Sequence, residues 1–218
     1  AWTAALQAPE LDNPRSYIAA LWPSGVADTP DARGVFQTAL ERRWTQTHDS
    51  AGQRRAHPLW TYFDIAEAHQ WLLLGNPDRT WQVMQWFWEH QSSPGLYTWW
   101  EGDDEGNTFG WWTYTRGWLA PKTVTPHYWT AAEMLLLQLD MLARVDSGST
   151  EPVLLIGDGL PAAWLAQPLA VRGLRVAGRT VDWSWAAGQL KVTVRGAPIR
   201  VRAGAPFPRA TRLLASVK

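Results

Sequence analysis

Glu101, Asp103, Asp104 and Glu105 follow directly on Trp99 and Trp100, in the run WWEGDDEG. Two carboxyl groups held roughly 5–9.5 Å apart across a glycosidic bond are what hydrolysis of that bond requires, one as acid and one as base or nucleophile. An indole wall beside a carboxylate disfavours its charged form and moves its pKa toward the general-acid range. The flat indole face is also a platform for the apolar C–H face of a pyranose ring. The competing reading is an acidic turn, EGDDEG, whose charges simply face water. As a metal site the run lacks the spacing and closing glutamate of an EF-hand loop. Histidines 48, 57, 69, 90 and 127 show no HExxH or paired spacing. No metal and no cofactor is expected.

The acidic run lies within a longer stretch, residues 93–133, that contains Trp99, Trp100, Trp111, Trp112, Trp118 and Trp129. Most of it carries neither a helical nor a strand period. Long irregular segments in compact domains are functional or disordered, and disordered segments are poor in aromatics. An ordered loop is expected over 93–126, its rings forming either their own packing or a binding surface. Tyr97, Trp99, Trp100 and Trp118 are candidate stacking groups, and Arg116 and His127 candidate donors to hydroxyls. Arg116 is equally suited to a structural ion pair, and His127 to bonding a carbonyl. Trp60 and Asp64 join the candidate substrate contacts. For Asp64, which stands three residues before Glu67 near a helix start, favourable interaction with the helix dipole is the simpler account.

The elements that must position these residues are mostly helical at first. Prolines 9, 14, 23 and 30 break the first thirty residues, apart from a short helix around 16–21. A helix is predicted from 31 to about 44, with Val35, Phe36, Ala39 and Leu40 on one face. A polar loop follows to 57. A second helix runs from 60 or 61 to 74 and stops at Gly75. Asn76 caps a third, with Pro77 at its first position, to about 91. Gly75-Asn76-Pro77 leaves room only for an antiparallel helical hairpin. The fourth helix opens at Thr125-Pro126 or at Thr130, where Thr130 and Glu133 have capping-box spacing. It continues to about 144 and is apolar nearly all round, which predicts burial on several sides.

Beyond a linker at 146–152 the period changes. A short apolar run at 153–157 precedes segments at 169–176, 180–185, 190–195 and 199–202, separated by glycine. Val181, Trp183 and Trp185 alternate with Asp182 and Ser184, which predicts half-buried antiparallel strands. The fold class is α+β, with a helical domain over 1–146 and a small β-sandwich-like domain over 147–218.

Composition removes several classes. Lys+Arg and Asp+Glu number 20 each, so no electrostatic footprint for nucleic acid or an anionic membrane exists. No apolar run approaches the roughly 18 residues of a spanning helix. The absence of cysteine excludes disulfides and thiolate chemistry and leaves the redox compartment open. Motifs of serine hydrolases, P-loops and dinucleotide folds are missing. The opening, AWTAALQAPELDNPRS, has neither an initiator Met nor the order of a signal peptide, and reads as a fragment. The unusual count is 17 Trp, which fill a core or line a site.

Three segments, HPLWTYFDIAEAHQWLLLGNPDRTW, SPGLYTWWEG and RGWLAPKTVTPHYWTAAEMLLLQLDML, resemble the C-terminal part of bacterial six-hairpin glycosidases, the (α/α)6-barrel hydrolases. The tail, VLLIGDGLPAAWLAQPLAVRGLRVAG with VDWSWAAGQLKVTVRG, resembles the small β-domain that follows such barrels. The similarity spans roughly residues 57–200. It implies helical hairpins from a partial barrel, a carbohydrate substrate, and a missing N-terminal part of the same barrel as partner. In related families the loop before the final inner helix bears the general base, which by position points to Glu101, then Glu105. The partner acid would come from earlier helices. Two alternatives remain: a non-catalytic carbohydrate-binding module, and a structural helical domain whose tryptophans are core.

Overall fold

Thr29 begins the first helix, its hydroxyl accepting from the Ala32 N–H, with Pro30 in the first turn where a missing N–H costs nothing. The computed structural model describes residues 17–55, 59–90, 99–103, 126–146 and 151–218. They fall into two compact units, Ala1–Trp71 with Arg79–Leu135, and Leu72–Asp78 with Leu136–Lys218. The architecture is mixed: helices, with one two-stranded sheet among them, precede two larger sheets.

In the first unit α1 (Pro30–Thr47) buries Phe36, Ala39, Leu40, Arg43 and Trp44. The two-residue strand β1 (Leu59–Trp60) runs straight into α2 (Thr61–Leu73), and α3 (Pro77–Glu89) follows. Gly75, at φ +80°, donates its N–H to the Leu72 carbonyl at 3.0 Å and ends α2 as the glycine predicts. Thr80 Oγ1 donates to the Ala68 carbonyl at 3.0 Å, tying the two arms of the hairpin. Val83, Met84 and Phe87 are the buried face of α3. A second short strand, β2 (Gly102–Asp103), pairs antiparallel with β1.

The last helix, α4 (Tyr128–Leu142), differs from expectation at its start and on its surface. Thr130 and Glu133 do not form a capping box. Thr130 lies inside the helix and its N–H donates to His127 Nδ1, so the imidazole holds the capping position. Glu133 turns inward to His69 instead. Nor is α4 covered all round, since Tyr128, Trp129 and Leu135 are exposed.

The second unit holds two sheets. β3 (Ala143–Asp146), β4 (Val153–Ile156) and β8 (Arg200–Ala203) form one, in that order. β5 (Leu169–Val176), β6 (Arg179–Ala186), β7 (Gln189–Arg195) and β9 (Arg212–Val217) form the other. The meander β5–β6–β7 is antiparallel with two-residue turns, Ala177-Gly178 and Ala187-Gly188, both residues of each at positive φ. Such primed turns match the twist of the strands they join. The sheets are nevertheless mixed rather than purely antiparallel, because β8 lies parallel to β4 and β9 parallel to β7. β3 and β9 are additional to the expected strands. β3 follows α4 with no intervening loop, so the helix's apolar pattern masks the change of period. Leu154, Ile156, Val181, Trp183, Trp185, Leu190, Val192, Val194 and Phe207 form the shared core.

Candidate functional site

The site is built around the backbone of residues 99–103, which three elements clamp. Trp60 and Leu59 of β1 pair with Gly102 and Asp103. The first residue of α2, Thr61, donates its N–H to the Glu101 carbonyl at 2.9 Å. Its hydroxyl, 2.6 Å from the same carbonyl, also bonds the Trp100 carbonyl. From the start of α4, the His127 N–H donates to the Trp99 carbonyl at 2.8 Å. Thr130 closes the cluster, its hydroxyl 3.2 Å from Thr61 Oγ1 and 3.4 Å from the Trp100 carbonyl. Glu101 is thus anchored by main-chain bonds between the beginnings of two helices, where the peptide dipoles favour negative charge.

Around this anchor the aromatic rings divide into interior and surface. Trp99 and Trp100 stack at 5.5 Å between centroids. Trp100 also meets Phe87 edge-on at 6.0 Å. At 1% exposure Trp100 belongs to the core, which corrects its assignment as a sugar platform. Its indole N–H is buried and finds no acceptor among the described residues. Trp99 is only half-buried. Trp129 was not among the candidate contacts, yet it is 71% exposed and lies 5.9 Å from the His127 ring and 6.1 Å from Tyr62. Tyr62, the second residue of α2, has its phenol pKa raised by burial and by the charge of Glu133.

His127 is half-buried, and burial lowers its pKa more than the nearby Glu101 carboxylate raises it. Its Nδ1 lies 2.7 Å from Thr130 Oγ1. The arrangement places a glutamate on an anchored backbone close enough to an imidazole for their charges to interact, beside partly open indole and phenol rings. It suits a neutral, hydroxyl-rich ligand with one apolar face.

Asp64 is placed differently from its assignment. Its side chain faces the interior at 5% exposure, where Arg54 Nη2 donates to it at 3.0 Å and Arg54 Nε at 3.2 Å. Glu67, on the same helix, takes Arg43 Nε, and both members of that pair are buried. Burial pushes the Glu67 carboxyl up to about 7 against the pull of Arg43, and burial raises Asp64 against Arg54. His48 stacks on Trp44 at 3.6 Å, and burial with Arg54 nearby lowers its pKa to about 4. A third buried pair joins His69 Nδ1 to Glu133 at 2.8 Å, under the Trp22 ring. Arg43–Glu67 and His69–Glu133 join helices, Arg54 ties the segment after α1 to α2, and none of the three pairs offers an open carboxylate.

Trp60 is placed by its strand pairing beside Gly102. Glu105, Tyr97, Arg116 and Trp118 lie outside the described residues. Thr61, Thr130, Tyr62 and Trp129 were missed as site residues. A threonine at each of two helix starts was the available signal, but which carbonyls they reach depends on loops about forty and thirty residues away. Among the described residues no group of three or more His, Asp or Glu is disposed to hold a metal ion. No helix there is long and apolar enough to cross a membrane. No family model matches the chain, and no curated protein or solved structure matches it significantly.

Proposed function

We propose that this chain is part of a glycoside hydrolase of the six-hairpin kind, its helices being hairpins of a partial (α/α)6 barrel. The remainder of that barrel is its partner and a carbohydrate its substrate. One observation carries the reading: Glu101 is held through its backbone between the starts of α2 and α4, with Trp99 half open beside it. Glu101 acts as base or nucleophile at the anomeric carbon, Trp99 and Trp129 offer ring faces to the sugar, and His127 donates to a hydroxyl. Glu105 is the second candidate for the role of Glu101, and the general acid is supplied by the rest of the barrel. Nothing in this scheme calls for a cofactor.

The test is turnover of 4-nitrophenyl glycosides and neutral oligosaccharides by the full-length protein. Glu101→Gln should lower kcat by at least about a hundredfold, the scale expected for losing a general base. Unchanged turnover in both Glu101→Gln and Glu105→Gln removes the scheme.

A non-catalytic carbohydrate-binding module is the second reading. It is favoured by one specific feature: Asp64, Glu67 and Glu133 are all engaged by Arg54, Arg43 and His69, so none of them serves as the second carboxyl group. Tryptophan fluorescence separates the two. Saccharide binding that survives Glu101→Gln, with no turnover in the parent protein, establishes the module.

A further inference from the structure

The surroundings of His127 determine more than its position. In a helix the first N–H groups have no intrahelical acceptor. The first bond within α4 is that of the Ala131 N–H to the His127 carbonyl at 3.2 Å, which leaves the Thr130 N–H to find a partner elsewhere. It finds His127 Nδ1 at 3.4 Å. The Thr130 hydroxyl lies 2.7 Å from the same nitrogen. A main-chain N–H can only donate, so the nitrogen that receives it must present a lone pair. A neutral imidazole with a bare Nδ1 carries its proton on Nε2. The positive end of the α4 dipole also opposes an imidazolium at this position.

We propose that His127 is a fixed-tautomer donor, its Nδ1 committed to capping α4 and its Nε2–H presented to a ligand oxygen beside Glu101. The ligand-facing half rests on the carbohydrate reading; the tautomer half does not. The nitrogen that caps the helix thereby selects the nitrogen that meets the sugar. A ligand oxygen opposite Nε2 must be an acceptor, as a hydroxyl or ring oxygen is. A second proton, on Nδ1, removes the cap, so acidification loosens the start of α4. Glu101 faces the ring from segment 99–103 and favours that proton, though less than burial opposes it. From α2, Tyr62 packs on the Trp129 ring that also borders His127. One turn along α4, Glu133 is engaged by His69. The folded pKa lies below the ordinary value of 6.5. The stability held by the neutral cap is therefore complete above that value and is lost as pH falls through the folded one.

Two substitutions divide the roles. Asparagine is among the best capping residues, so His127→Asn keeps an acceptor for Thr130 and lacks the far donor, whereas His127→Ala lacks both. In long-range proton–nitrogen NMR of the full chain at pH 8, with the His127 resonances assigned by their loss in His127→Asn, the ring should show its proton on Nε2. A proton on Nδ1 overturns the proposal. In thermal melts at pH 8 His127→Asn should stay within a degree or two of the parent, and its midpoint should fall less on acidification than the parent's, while His127→Ala melts earlier. Equal losses in both overturn the capping role. In titrations with maltotetraose and cellotetraose both variants should bind about tenfold more weakly, the scale of one lost hydrogen bond. Parent-like affinity in His127→Asn overturns the donor role. If the parent binds neither sugar, the carbohydrate reading and the donor role fall together, and the tautomer and capping arms still decide the rest.

Discussion

Along β6 and β7 the inward positions are Val181, Trp183, Trp185, Leu190, Val192 and Val194, all apolar and all buried. Along α2 the buried positions include Asp64, Glu67, His69 and Gln70. The sheet of the β unit thus turns an apolar face inward, and that unit also buries one ion pair, Arg144 with Asp158 at 2.7 Å, while the helical unit buries several polar groups and partners them from distant elements. Burying a charge costs several kcal/mol unless it is paired and hydrogen-bonded. An apolar core of similar volume would serve stability as well or better, so the polar interior of the helical unit calls for another reason. The buried pairs fix the relative positions of α1, α2 and α4, and two of those helices begin at the Glu101 anchor. The contrast is one of extent: a single buried ion pair beside an apolar sheet core in one unit, against three buried pairs in the other.

The largest test of that contrast is Arg43→Met. At pH 8 it leaves Glu67 without its guanidinium in a buried setting, and should cost about 3 kcal/mol, at the low end for a broken buried pair. At pH 5 the cost should be smaller, because the carboxyl is then protonated. Leu190→Ala in the sheet should cost a similar amount, about 3 kcal/mol, but equally at both pH values. Denaturant melts at the two pH values, with each unit followed separately, decide the matter. A pH-independent loss in Arg43→Met would mean that the helical interior is no different in kind.

A smaller effect concerns the slope of stability with pH. Glu67 has a folded pKa of about 7 against an ordinary 4.5. The folded state therefore retains a proton that the unfolded state has lost, and stability declines as pH rises through that window. His48 has a folded pKa of about 4 against 6.5. There the unfolded state takes up the proton first, so stability declines as pH falls from 6.5 to 4. The two slopes oppose each other between 4.5 and 6.5. Glu67→Gln should therefore make the protein more acid-sensitive, and His48→Asn less so. Midpoints measured across pH 4–8 should diverge in those two directions, and parallel profiles would contradict the assigned burial.

The smallest effect belongs to the β unit. Ala187 takes φ +48° in the turn between β6 and β7, where asparagine is preferred. Ala187→Asn should stabilise by about 0.5 kcal/mol, read as a rise in the melting temperature of that unit alone.

Much of the chain's local order follows from neighbours in sequence. Asn76-Pro77 after Gly75 announces the α2–α3 turn, and the alternation from Val181 to Val194 announces β6 and β7. Each signal acts within a few residues, through backbone sterics, capping or a period of two. The segment 99–103 offers no such signal, because its bonds go to Thr61, His127 and Thr130 rather than to its own neighbours.

What the amino-acid order determined alone is the succession of helices and then strands, the hairpin turn at Gly75, and the inward face of the β meander. Tertiary structure decided that Trp100 is core while Trp129 is surface, that β8 and β9 run parallel to their neighbours, and that Asp64 meets Arg54 rather than a ligand. It also decided that Glu133 meets His69, sixty-four residues away, rather than capping its own helix. The physical reason is range. Helix and strand periods and turns are local consequences of chain geometry, whereas the partner of a buried charge or an unspent N–H is whichever group the packed chain brings within about 3 Å.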